Sequence, residues 1–98
     1  METEADLIEF FWEMFRVKAE VDDWGDDQGG RCVSWNCYMG DTRGHIDRER
    51  IAHMYKSLKS LEPYIHECGY ELFMFNDDEW FNAALIPLKT AAKFYKAA

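Results

Sequence analysis

The sequence predicts a single small α/β or α+β domain over residues 1–98, with the order helix, strand, helix, strand, helix and a small sheet packed by three helices. Apolar residues recur at helical spacing in two long segments, and a third segment alternates apolar and polar residues as a strand does. The 98 residues, 48% of them hydrophobic, are enough for one packed core.

The first helix is predicted over residues 4–20. Thr3 can cap its amino terminus, and Asp6 stands three residues later as in a capping box. Its apolar residues cover an arc of more than about 200°, whereas a surface helix needs a stripe of about 100°. This helix is therefore expected either to be deeply buried or to meet a second chain. The apolar residues are Leu7, Ile8, Phe10, Phe11, Trp12, Met14, Phe15 and Val17.

The middle of the chain predicts a strand and then a helix. In residues 31–39, Val33, Trp35, Cys37 and Met39 alternate with mostly polar residues, which is typical of a half-buried strand. The second helix is expected to begin near Asp47, a good capping residue. Pro63 predicts a kink or a restart at Glu62, and Gly69 predicts the end of the helix.

The last part of the chain predicts a strand over residues 70–75 and a third helix. Asn76 and Glu79 have the spacing of a helix cap. The helix would turn Trp80, Ala84, Leu88, Ala91 and Tyr95 inward. Two strands alone make a marginal sheet. Either residues 18–24 add a third strand, or a second subunit completes the sheet.

The negative charge is concentrated at one end of the chain. The formal net charge is -8, and the first 30 residues hold ten acids against two bases. The rest of the chain holds nine of each. This balance argues against direct binding to nucleic acid or to an anionic membrane surface. The acidic start lacks the basic region of a secretory signal, and three cysteines suggest reduced thiols in the cytoplasm.

No catalytic, metal or cofactor motif is found, so we predict a non-enzyme without cofactor or metal. The potential metal ligands lack the close pairs of a structural zinc site. The acids of residues 22–27 do not have the spacing of a calcium loop. No cysteine or histidine stands in a nucleophile signature. These potential ligands are Cys32, Cys37, His45, His53, His66 and Cys68.

An acidic stripe is predicted along the first helix. Its members, which fall within an arc of about 60°, are Glu2, Asp6, Glu9, Glu13 and Glu20. The stripe would continue into Asp22, Asp23, Asp26 and Asp27, which surround Trp24. A carboxylate row of this pitch could occupy a groove built for DNA phosphates. Trp24 or Trp12 could supply the aromatic anchor that is frequent at binding hot spots.

These patterns favour a small acidic inhibitor that occludes the basic, nucleic-acid-binding surface of a partner protein. The partner-binding residues would be Glu9, Glu13, Asp22, Asp23, Trp24, Asp26 and Asp27. Nuclease immunity, anti-restriction and anti-CRISPR proteins are analogous in size and charge only. The alternative is a structural or regulatory subunit, or a homodimer, that binds through Phe10, Phe11, Trp12 and Phe15. A small thiol- or metal-dependent enzyme is the third hypothesis.

Overall fold

The chain forms an α+β domain built on one four-stranded antiparallel sheet. The computed structural model describes residues 1–24, 30–38, 44–77 and 79–91. In chain order the elements are α1 (Glu4–Phe15), β1 (Glu20–Asp23), β2 (Arg31–Tyr38), α2 (Gly44–Ser60), α3 (Glu62–Glu67), β3 (Tyr70–Asp77) and β4 (Trp80–Pro87). Residues 88–91 form a further helical turn.

The strands lie in the order β1-β2-β4-β3, and every neighbouring pair is antiparallel. One row of paired residues crosses the sheet from Val21 through Val33 and Leu85 to Leu72. β4 therefore lies between two partners, whereas β1 and β3 are the edge strands. This register places the acidic strand β1 at the open edge next to β2.

The main core lies between one face of the sheet and the helices. Phe11 of α1, Met54 of α2 and Ile65 of α3 are completely buried, as are Val33 and Leu85 beneath them. Apolar burial of this kind is the principal stabilising term in folding. All three helices therefore contribute to one core.

A smaller apolar cluster covers part of the other face of the sheet. It consists of Cys32, Ala84, Ile86 and Ala91, with Trp24 and Phe73 packed against it. Gly30 precedes β2 with a φ of 72°, and a Cβ there would lie 2.9 Å from the Thr90 side chain. Only glycine satisfies both the left-handed backbone and this close approach.

The capping box predicted for α1 is confirmed. The Asp6 backbone donates to the Thr3 hydroxyl, and the Asp6 carboxylate accepts from the Thr3 backbone at 2.9 Å. The predicted length is wrong, because α1 ends at Phe15 and Arg16 adopts a left-handed conformation with φ 55°. Glu20 consequently belongs to β1, so the acidic stripe of the helix stops at Glu13.

The break predicted at Pro63 is confirmed, since α2 ends at Ser60 and α3 restarts at Glu62. Proline is accepted in the first turn of a helix, where its missing N–H has no partner to lose. The start of α2 lies at Gly44, three residues before the predicted Asp47. Gly69 reverses the chain with a φ of 94° and leads into β3.

The third helix predicted after Asn76 is wrong over its first half. Residues 80–87 form strand β4, and only residues 88–91 of that segment are described as helical. Tyr95, which was predicted to face inward on this helix, lies outside the described residues. Because β4 is central, both of its faces are covered, and Ala83, Ala84, Leu85 and Ile86 are all buried. A strand buried on both faces shows no alternation of apolar and polar residues, so its apolar residues also fit the spacing of a helix.

The extra strand anticipated in residues 18–24 is confirmed as β1, which pairs with β2 in the same chain. The alternation predicted for residues 31–39 holds only in part, because Cys32, Val33 and Ser34 are consecutive buried residues. Met39 lies outside the described residues. Within the described part of the chain, no helix is long and apolar enough to cross a membrane.

Candidate functional site

Several exposed acids of the predicted stripe and of its continuation lie on α1 and β1 within the described residues. Glu9 and Glu13 are exposed on α1, and Glu20, Asp22 and Asp23 are exposed along β1. We call these five residues together with Trp12 the acidic face, in which β1 carries carboxylates on both sides of the sheet: Asp23 on the side of α1, and Asp22 on the side of Cys32 and the smaller apolar cluster. Asp26 and Asp27, which were also predicted for this site, lie outside the described residues.

Trp12 is the exposed aromatic residue of the acidic face. Its side chain is 44% exposed, and the Arg16 guanidinium lies 5.5 Å from its ring centroid. Trp12 lines an open groove of about 400 Å³ together with Ile8, Lys18, Ala19 and Glu20. The groove therefore joins the outer side of α1 to the start of β1. It offers an apolar wall beside a carboxylate.

Trp24 occupies a different position from the one predicted for a binding anchor. Its indole Nε1 donates to Asp22 Oδ2 at 2.9 Å, and its ring meets Phe75 edge-on with centroids 5.6 Å apart. The ring also packs against the smaller apolar cluster. Trp24 thus folds back onto the sheet, and its role as an exposed anchor stays a prediction without structural support.

The acids near the start of α1 are engaged within the chain. Arg31 donates from Nε and Nη2 to the two carboxylate oxygens of Glu4 at 2.7 and 3.0 Å, and these bonds lower the pKa of Glu4. Backbone N–H groups of Glu2 and Thr3 likewise lower the pKa of Asp6. Both carboxylates therefore hold α1 in place rather than face a partner.

Within the acidic face, the three glutamates differ from Asp22 in their contacts. Glu9, Glu13 and Glu20 form no ion pair with any residue in the described ranges. Asp22 accepts from the backbone of Asp23 and from Trp24, which fixes its carboxylate at the sheet edge. The three glutamates are therefore the carboxylates most accessible to an incoming cation.

The aromatic residues proposed as an alternative interface mostly face inward. Phe11 is completely buried, and Phe10 and Phe15 are partly buried against the main core. Phe15 also contacts the ring of His53 on α2, with centroids 6.2 Å apart. Part of the wide apolar arc of α1 is thus used against the sheet and α2, whereas Trp12 and Met14 are exposed. Of the four residues, Trp12 alone is exposed.

The thiols offer no paired nucleophile among the described residues. Cys32 is buried, and this burial, followed by the charges of Asp22, Asp23 and Glu4, raises its pKa to about 12. Cys37 and Cys68 are partly buried, and no disulfide joins the three. A thiol with a raised pKa is a poor nucleophile, so the geometry gives no support to a Cys32-based enzyme.

The raised pKa of Cys32 predicts slow alkylation in the folded protein. The thiolate is the reactive form, and its lower fraction outweighs the greater nucleophilicity of a thiolate of higher pKa, so the shift from 9.0 to about 12 should slow the reaction at least about thirtyfold relative to an ordinary thiol. Iodoacetamide labelling followed by mass spectrometry measures this rate, and labelling in urea is the control. Rapid labelling of Cys32 in the native state would contradict its burial in the smaller apolar cluster.

Sequence reasoning missed one group of polar side chains. Glu62, His66 and Glu71 offer ligand atoms that all lie within 4.8 Å of one another. The ligand set predicted from the sequence contains His66 together with cysteines and other histidines, and no glutamate. The Glu62–His66 spacing of four residues within one helix was the available signal.

Comparisons with protein-family models, with curated proteins and with solved structures find no match to this chain.

Proposed function

We propose that this chain is a small, acidic, non-catalytic inhibitor that binds the basic, nucleic-acid-binding surface of a partner protein through the acidic face. The observation that carries the proposal is the groove shared by Trp12 and Glu20, in which an exposed aromatic side chain of α1 lies beside an acid at the start of β1. An apolar anchor within a field of carboxylates is the complement of a lysine- and arginine-rich groove.

The carboxylates supply attraction and competition with phosphate. Complementary charge accelerates encounter and orients the partners before contact. Glu9, Glu13 and Glu20 would then occupy lysine and arginine side chains that otherwise neutralise a DNA or RNA backbone. Inhibition follows because the partner's surface cannot bind both at once.

Trp12 supplies the contact energy that charge alone does not. Ion pairs at an exposed rim contribute little net affinity, whereas desolvated aromatic residues dominate hot spots. Arg16 already places its guanidinium over the Trp12 ring at 5.5 Å. A partner arginine that displaces Arg16 can be held on the indole by the same cation–π attraction.

The charge on β1 has a second physical explanation, and the experiment must distinguish it from partner binding. β1 is an edge strand, and charged side chains on edge strands discourage pairing with other chains. Glu20, Asp22 and Asp23 could serve that purpose without any partner. A decisive variant therefore changes the acids of α1 and leaves β1 intact.

Partner capture with matched charge variants tests the proposal. The wild type, Glu9→Gln/Glu13→Gln and Glu49→Gln/Glu67→Gln are immobilised and exposed to a cell lysate, with circular dichroism confirming that all are folded. Glu49 and Glu67 are exposed on α2 and α3, so both variants lose two charges from a helix surface. The wild type and the α2/α3 variant should retain a DNA- or RNA-binding protein that added nucleic acid releases.

Loss of that protein only from Glu9→Gln/Glu13→Gln would locate binding at the acidic face. Equal retention by all three proteins, or a captured protein that nucleic acid does not release, would contradict the proposal. Capture of further copies of this chain alone would instead favour the homodimer.

A further inference from the structure

Glu62, His66 and Glu71 form a cluster of metal-ligating side chains away from the elements of the acidic face. Glu62 and His66 are four residues apart and therefore project from the same side of α3. Glu71 is the second residue of β3, and the turn at Gly69 brings it beside α3. The three side chains thus come from two elements joined by a short connection.

The distances in the cluster are close to those of a metal site. His66 Nε2 lies 3.1 Å from Glu71 Oε1, and the three ligand atoms all lie within 4.8 Å of one another. Zinc bonds of about 2.0–2.2 Å place tetrahedral ligands about 3.4 Å apart. The contact between His66 and Glu71 is itself a hydrogen bond and is slightly shorter than this separation, so a bound ion would replace that bond. The other ligand atoms lie within 4.8 Å of one another, and rotation of a glutamate side chain can shorten these distances to about 3.4 Å.

We propose that Glu62, His66 and Glu71 bind a zinc ion, with a water completing the tetrahedron. One imidazole and two carboxylates are donors that zinc accepts, and three protein ligands leave one position open. Two carboxylates with a single imidazole also concentrate negative charge, which a divalent cation neutralises. The partial exposure of all three side chains gives the ion a route from solvent.

The backbone beneath the cluster is held by the core. Ile65, between the two α3 ligands, is completely buried, and its backbone N–H donates to the Leu61 carbonyl at 2.9 Å. Leu72, next to Glu71, is also buried. Ligands on elements fixed in this way lose less conformational freedom on binding an ion.

Lys59 is the competing cation. Its Nζ lies 3.6 Å from Glu62 Oε2, so it partly neutralises one ligand before any ion arrives. Zinc binding must displace this contact or share the carboxylate through its other oxygen. The site is therefore expected to bind zinc more weakly than a buried structural site of four ligands.

Calorimetric titration of the full chain with Zn²⁺ tests the proposal, using two variants and two matched controls. His66→Gln and Glu71→Gln remove ligands, whereas His53→Gln and Glu67→Gln change exposed residues of the same types elsewhere on α2 and α3. Binding of one ion per chain should weaken at least about tenfold in the first pair. The control pair should match the wild type, and circular dichroism checks that each variant is folded.

Cobalt substitution separates this site from zinc held by thiols. Co²⁺ bound by nitrogen and oxygen shows weak visible absorption, whereas thiolate ligation adds an intense charge-transfer band in the near ultraviolet. The wild type should show the first spectrum, and His66→Gln should lose it. A thiolate band, equal zinc affinity in the wild type and His66→Gln, or no zinc binding up to about 1 mM would overturn the proposal.

Discussion

Replacing Phe11 by alanine is expected to lower the free energy of unfolding by about 3–5 kcal/mol. Phe11 is completely buried at the centre of the main core, where its ring lies 5.9 Å from that of Phe10 and 6.5 Å from that of Phe15. The substitution removes most of a buried aromatic side chain and leaves a cavity between α1 and the sheet. Because small domains have only about 5–15 kcal/mol of stability, much of the total would be lost.

Urea unfolding followed by circular dichroism measures this loss. Trp12→Ala is the matched control, since it removes an aromatic side chain of comparable size from the next position of the same helix. A loss below about 1 kcal/mol for Phe11→Ala would show that α1 does not use this face within the chain. That result would favour the alternative in which the aromatic face binds another subunit.

Replacing Trp12 by alanine is expected to change the stability of the fold little and to weaken partner binding strongly. The side chain is 44% exposed and makes a cation–π contact with Arg16, so stability should change by less than about 1 kcal/mol. If Trp12 is the anchor of the acidic face, affinity for the captured partner should fall by about 2 kcal/mol or more, which is about thirtyfold.

Isothermal titration or surface plasmon resonance with the captured partner measures the effect of Trp12→Ala. Trp80→Ala is the matched control, because Trp80 is 46% exposed at the start of β4 and lies outside the acidic face. Equal losses of partner affinity in Trp12→Ala and Trp80→Ala would contradict the role of Trp12 as the apolar anchor. Retained affinity in Trp12→Ala would leave the carboxylates without an apolar anchor.

The parts of the fold that local chemistry controls could be predicted from the sequence. The capping box at Thr3 and the break at Pro63 follow from residues within one or two turns of each feature, whereas β1 was one of two alternatives for completing a sheet of too few strands. β4 could not be predicted in the same way. Its character depends on two neighbouring strands that cover both faces, and alanines at 83 and 84 suit a helix equally well when the partners are unknown.

The candidate site was predictable in composition and less so in geometry. The acids of residues 1–30 are plain in the sequence, but the end of α1 at Phe15 moves Glu20 from the helix to the sheet edge. The exposure of Trp12 and the partial burial of Trp24 depend on what packs beside each ring. Phe75 is the partner of Trp24, and it lies far along the chain on β3. Such distant contacts carry no local signal.

The salt dependence of association tests the central claim most directly. The association rate constant between the wild type and its captured partner is measured by stopped flow between about 0.05 and 0.5 M salt. The acidic face predicts a fall of at least about tenfold for the wild type and a shallower fall for Glu9→Gln/Glu13→Gln. A rate constant that does not change with salt, or an identical dependence in the variant, would contradict docking through the acidic face.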